Sequence, residues 1–186
     1  MLPRATHTRR DRDSHKGKIN GRSQEISRLI GRALRAISDL EALGERALIL
    51  DCDVISADGG TRTASITGAY VAAMLALKTF AEKKPGALRR PVFREAVAAI
   101  SVGIVDDIPC LDLDYGMDSR ANVDMNVVLT QSGKLVEIQG TAEKTPFDRQ
   151  QFDQLLDLAY SALPELLELQ QKTVAIPYSE NPARVF

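Results

Sequence analysis

Asp58-Gly59-Gly60-Thr61-Arg62-Thr63-Ala64-Ser65-Ile66-Thr67-Gly68 lies between two kinds of apolar periodicity. Before it, Ala47–Ala57 alternates: Leu48, Leu50, Cys52 and Val54 share one side, and Ile49, Asp51, Asp53 and Ile55 the other, which predicts a strand. After it, Ile66, Ala69, Tyr70, Ala73, Met74, Leu77 and Phe80 recur at helical spacing, which predicts a helix to about Lys83, closed by Pro85-Gly86. The stretch is therefore a glycine-rich turn that opens a helix. Glycines allow a tight turn and close backbone approach. The first N–H groups of a helix lack internal partners, and the helix dipole is positive there. Such a turn suits a phosphate, with Arg62 and the hydroxyls of Thr61 and Thr63 completing a cage, although an ordinary N-capped turn has the same local pattern.

Upstream, Ile26, Leu29, Ile30, Ala33, Leu34, Ile37 and Leu40 predict a second amphipathic helix, capped by Ser23 and ended by Gly44. Arg22 then stands at another helix start, where it can join an anion site. Downstream, four strand-like runs follow: Ala96–Val105, Ile108–Tyr115, Asn122–Thr130 and Leu135–Gln139. Asp106-Asp107 and Ser132-Gly133 between them suit hairpin turns, giving an antiparallel meander or part of a mixed sheet. The last helix has an explicit start, with Asp148 as N-cap, Gln151 at N3, and Phe147 and Phe152 as a hydrophobic staple. Pro164 is expected to kink or restart it before it ends near Thr173.

Strands mixed with three helices predict an α/β fold, in the form of an α+β two-layer sandwich. The 186 residues suit one domain over 1–173 followed by a tail over 174–186. No apolar run is expected to approach the length of a membrane span, and no apolar segment near Met1 resembles a secretory signal, so a cytoplasmic, membrane-free protein is expected. Cys52 and Cys110 fall in apolar runs; the two could pair, but they read first as small buried thiols.

Charge is uneven. Residues 1–22 carry Arg4, Arg9, Arg10, Arg12, Lys16, Lys18 and Arg22 against Asp11 and Asp13, and the rest of the chain is correspondingly acidic. A basic arm on an acidic body fits contact with a polyanion, or a solvated tail. The acids concentrate in Asp112-Leu113-Asp114-Tyr115-Gly116-Met117-Asp118, followed by Asp124-Met125-Asn126. Asp112 and Asp114 are expected on one strand face. Asp118, in the following loop, can fold back beside Asp124, and the two carboxylates suit a hard divalent ion such as Mg²⁺.

Taken together, DCDVISADGGTRTASITGAYVA, MLPRATHTR, GRSQEI, DMNVV at 124–128 and EIQGTAE at 137–143 resemble the RNase PH family of phosphate-dependent 3′→5′ exoribonucleases, over about residues 1–172. The resemblance implies a fold shared with the second domain of ribosomal protein S5 and a hexameric ring built as a trimer of dimers. It implies phosphorolysis: inorganic phosphate attacks the 3′-terminal phosphodiester of tRNA, rRNA or other RNA 3′ ends and releases a nucleoside diphosphate. It places Arg22, Gly60, Thr61 and Arg62 in a phosphate site, and Asp118 and Asp124 in catalysis with Mg²⁺. It makes Arg4, Arg9 and Arg12, in the basic loop 1–21, contacts to tRNA. Family members carry several dozen residues ahead of the MLPR motif, including the first strands of the sheet, so an N-terminally truncated chain of low activity is expected. The rival expectation is a truncated or non-catalytic RNA-binding ring subunit of the same family.

Overall fold

In the computed structural model, residues 21–175 are described. Arg4, Arg9 and Arg12, the rest of the basic arm through residue 20, and the tail from residue 176 lie outside the described residues.

Helix α1 runs Gly21–Ile37. It starts earlier than expected, so Ser23 lies within the helix instead of capping it, and Arg22 sits in its first turn. It also stops sooner. The Arg94 amide donates to Ile37 O at 2.8 Å and the Asp39 amide to Val92 O at 2.7 Å, which ties the chain to residues 92–94. Asp39 then caps a separate turn, α2 Leu40–Leu43, by accepting from the Ala42 amide, and Gly44 at φ 67° ends it.

The alternating run 47–57 is neither helix nor strand, contrary to expectation. Ile49 is 93% exposed and Ile55 68%. A strand exists only when a neighbour takes its backbone hydrogen bonds. Among the described residues no strand lies beside this run. Leu48 and Leu50 pack against the core.

Helix α3, Thr61–Lys83, opens where the glycine turn ends. Contrary to expectation, its length and composition alone would suit a membrane span. Yet Ile66, Ala69, Tyr70 and Ala73 are buried with α1 residues Leu29, Ala33 and Ile37, as in a core helix. Strands β1 Val97–Val105, β2 Ile108–Leu111, β3 Val123–Thr130 and β4 Leu135–Ala142 form one sheet in the order β2-β1-β3-β4, with every neighbouring pair antiparallel. This is not a simple meander. β2 folds back on β1 through Asp106-Asp107, both at positive φ as such hairpins require, and the chain then crosses to pair β3 on the other side of β1.

The crossing explains a second departure. β2 ends at Leu111, and Asp112 adopts φ 54°, so Asp112 and Asp114 do not share a strand face. Asp114 instead caps the one-turn helix α4, Tyr115–Asp118, accepting from the Met117 amide at 2.7 Å.

Side chains alternate across a strand, and β1 uses both sides. Val97 and Ala99 pack with α1 and α3, whereas Ala98, Ile100, Val102 and Ile104 pack with Leu155, Ala159 and Leu163 of α5, Arg149–Ala175. The register agrees: Val128, opposite Ala99, joins the first cluster, and Val127, opposite Ile100, joins the second. The architecture is α/β, with helices on both faces of the central strand. α5 begins with the expected reciprocal cap: the Gln151 amide donates to the Asp148 carboxylate at 2.8 Å, and the Asp148 amide to Gln151 Oε1 at 2.9 Å. It runs unbroken through Pro164. Cys52 is exposed and Cys110 half-buried, so the expected burial of the two thiols fails.

Candidate active site

Gly59 (φ 86°) and Gly60 (φ 54°) both take the left-handed conformation that makes the turn sharp. At Gly59 a Cβ would lie 2.2 Å from Leu113 O, so the turn sits directly on the connection between β2 and α4. Asp58 adds a tie by accepting from the Tyr115 amide at 3.3 Å. Ser101, the single polar side chain inside buried β1, holds the far side of that connection. Its Oγ accepts from the Leu113 amide, and its carbonyl from the Asp112 amide. The N-terminus of α3 is thus pressed against the strand face that carries Asp124, which pairs with Gly103 of β1.

The result is one cavity of about 200 Å³, lined by Arg22, Gly60, Thr61, Arg62, Asp118 and Asp124 together with neighbouring residues. The structure brings all six of these sequence-derived positions to one place. Thr63 is not with them: it is buried, and its hydroxyl donates to Gly60 O at 2.8 Å, which secures the turn and leaves nothing for a phosphate cage. Asp118 ends α4 and is exposed, instead of lying in a loop.

The cavity has two walls of opposite character. On the basic wall, Arg62 is paired: its Nε and Nη2 donate to the Glu25 carboxylate at 3.0–3.3 Å, linking the first turns of α1 and α3. Among the described residues, the charge of Arg62 offsets the acidic wall. Asp124 is half-buried, and its carboxyl is held above the usual carboxylate range, first by burial, then by the charges of Asp118 and Glu143, with Arg62 opposing. A half-buried carboxylate beside like charges fits a cation. Among the described residues no group of three or more His, Cys, Asp and Glu side chains gathers as a metal cage. Two carboxylates are nevertheless a sufficient protein share for Mg²⁺, whose remaining ligands are commonly water and substrate phosphate oxygens.

Several lining or supporting residues were missed from sequence. Glu25 has no signal of its own, because its pairing with Arg62 depends on how α1 and α3 pack. Ser101 did carry a signal, as a lone polar residue in an otherwise apolar strand. Asn126 and Tyr115 line the cavity and Glu143 acts on Asp124; all three stand inside the stretches quoted above, but nothing in their spacing assigns them a role.

Two family models match the chain: the 3′ exoribonuclease family, domain 1, over residues 1–80, and the same family's domain 2 over residues 95–162. A ribonuclease PH from Syntrophomonas wolfei subsp. wolfei is 54% identical over 176 residues, spanning 95% of this chain and 73% of that relative. Among solved structures, rice (Oryza sativa) Rrp46 superposes with a TM-score of 0.62 at 14% identity, covering 86% of this chain and 69% of that one. An Archaeoglobus fulgidus exosome with RNA bound to its active site gives a TM-score of 0.59 at 19% identity, covering 80% of this chain and 61% of that one. At such identities the two structures show the shared fold alone, while the sequence relative and the two family models carry the assignment. The chain belongs to the 3′ exoribonuclease family, in its RNase PH branch, and is a phosphate-dependent, phosphorolytic 3′→5′ exoribonuclease.

Proposed function

We propose that this enzyme trims the 3′ ends of precursor tRNA and other RNAs, with the attacking phosphate on the basic wall of the cavity and the scissile phosphodiester against the acidic wall. The observation that carries the reading is the convergence of Arg22, Gly60, Thr61 and Arg62 with Asp118 and Asp124 in one cavity. Both reactants are anions and repel each other. Arg22, Arg62 and the free amides at the start of α3 would hold the phosphate, an arrangement that supplies charge and orientation together. A phosphate oxygen then bonds to the terminal phosphorus as the bond to the preceding nucleotide's 3′ oxygen breaks. The incoming phosphate becomes the β-phosphate of the released nucleoside diphosphate. The 3′ oxygen takes up a proton and remains on the shortened RNA. Hydrogen phosphate arrives ionised, so no side-chain base is required.

Asp118 and Asp124 would hold Mg²⁺, which supplies positive charge for the scissile group and the leaving oxygen. Arg4, Arg9 and Arg12 would grip the tRNA body away from the cavity. We place the enzyme in the cytoplasm as a hexamer, a trimer of dimers; the free state of Cys52 and Cys110 suits a reducing compartment.

The test is to incubate the protein with a tRNA bearing extra 3′ nucleotides, with and without phosphate, and to size it by sedimentation. Shortening only when phosphate is present, by a hexamer, is expected. Shortening of unstructured RNA but not of the tRNA would refute the substrate assignment, and an active monomer would refute the ring.

A further inference from the structure

The Glu25–Arg62 pair sits at the edge of the proposed phosphate site and has a geometry that a simple surface ion pair does not need. Both Glu25 oxygens lie on one edge of the guanidinium, at 3.2 and 3.3 Å from Nε, with one of them also 3.0 Å from Nη2. Arginine carries its donors in a rigid planar fork. Occupying the Nε edge therefore leaves the Nη1 donors and the outer Nη2 donor for a second oxyanion. Arg62 itself lines the cavity, and Glu25 is not among its lining residues. The Arg62 side chain is 28% exposed and that of Glu25 39%, so the pair is partly shielded. It also joins the two helices that bring the basic groups: Arg22 lies one turn before Glu25 on α1, and Gly60 and Thr61 immediately precede Arg62 at the start of α3.

We infer that Glu25 is a positioning residue for the phosphate step: it clamps the Nε edge of Arg62, and so presents the remaining donors of that arginine to the attacking phosphate. This rests on the assignment of Arg62 to the phosphate site. An unclamped arginine samples many rotamers, and phosphate binding would have to order it. The clamp removes that requirement. It does so while adding a negative charge near an anion site, which by itself weakens phosphate binding. The two effects have opposite signs, and the sign of the measured change decides between them.

The experiment is steady-state phosphorolysis of a 3′-extended tRNA, with phosphate varied at saturating RNA and RNA varied at saturating phosphate. The variants are Glu25→Ala, Glu25→Gln, Arg62→Ala and the double variant Glu25→Ala/Arg62→Ala. Glu25→Ala should raise the KM for phosphate by about tenfold, the scale of one charge-assisted hydrogen bond, with the KM for RNA unchanged. Glu25→Gln keeps an acceptor of nearly the same shape, and should raise the phosphate KM less. The double variant should be no worse than Arg62→Ala alone, because Glu25 acts through Arg62. A phosphate KM that falls in Glu25→Ala and Glu25→Gln would make Glu25 a competitor and overturn the inference. Equal changes in both KM values, or additive losses in the double variant, would reduce it to a structural contact. If Glu25→Ala does not fold, Glu25→Gln is read by the same criteria. Arg62→Ala separates the levels: an unchanged phosphate KM there refutes the phosphate site itself, whereas a raised one with Glu25 variants like wild type refutes only the clamp.

Discussion

The two walls of the cavity are built from different parts of the fold and carry their charge differently. The basic wall comes from the first turns of two helices, and its inner arginine already has a carboxylate partner. The acidic wall comes from β3 and the short helix α4, and among the described residues the charges acting on its inner carboxylate are those of Asp118 and Glu143, with Arg62 opposing. A helix start is a stable place for cations to meet an anion, because unpartnered amides face the same way. A half-buried aspartate beside another acid is a poor choice for stability, which is why the proposed mechanism sets the scissile phosphodiester and a cation at that end of the cavity. The contrast suggests that the basic wall is preorganised before substrate arrives, while the acidic wall is relaxed by it.

The sharpest way to break that contrast is Asp124→Asn. Turnover should fall on the order of a thousandfold, the scale seen when a key electrostatic group is removed, while tRNA binding is nearly unchanged. Stability should move the other way. The folded carboxyl is held above its unfolded value, so the native state binds more protons between those two values, and ionisation of Asp124 destabilises the fold as pH rises through that window. Without Mg²⁺, Asp124→Asn should therefore melt above wild type at neutral pH, with the gap closing below the unfolded value, where the carboxyl is uncharged in the folded and unfolded states alike. A variant that melts lower at neutral pH and keeps its turnover would contradict both statements.

Arg62→Ala attacks the other wall. Losing a charge-assisted contact should raise the KM for phosphate by about ten- to a hundredfold, with a smaller effect on the KM for RNA. Smaller again in its effect on the chemistry, but large for the fold, is Gly59→Ala, which strikes the joint between the walls. The left-handed backbone, and a Cβ that would sit 2.2 Å from Leu113 O, should lower unfolding free energy by at least about 1–3 kcal/mol. Chemical denaturation measures it. An unchanged midpoint would mean that the turn can back away from the β2–α4 connection. The mildest effect belongs to the arm. Replacing Arg4, Arg9 and Arg12 together should weaken tRNA binding and reduce its salt slope by about 2–3 units, without changing kcat at saturating RNA.

How much of this was legible beforehand differed between the walls. The glycine turn and α3 announced themselves, because a change of apolar period, two glycines and a following arginine are all local signals. The capping box of α5 was equally plain, with Asp148 and Gln151 bonding as their spacing required. The acidic wall was harder. Asp118 and Asp124 were identified, but Asp112 and Asp114 were given a strand face they do not have, because the positive φ at Asp112 leaves no mark in a sequence of alternating apolar residues. The run 47–57 shows a deeper limit: alternation records which faces are apolar, while a strand also needs a neighbour, and the sequence does not name one. Glu25 lay hidden for a related reason, since a pair across two helices depends on how those helices pack.

The most direct test of the account follows the phosphorus. With ³²P-labelled inorganic phosphate and a 3′-extended tRNA, the account predicts nucleoside diphosphates labelled only at the β-phosphate, at a rate that rises with phosphate concentration and drops in both Arg62→Ala and Asp124→Asn. Unlabelled nucleoside monophosphates, released as fast without phosphate as with it, would show that water and not phosphate is the nucleophile, and would contradict the account at its centre.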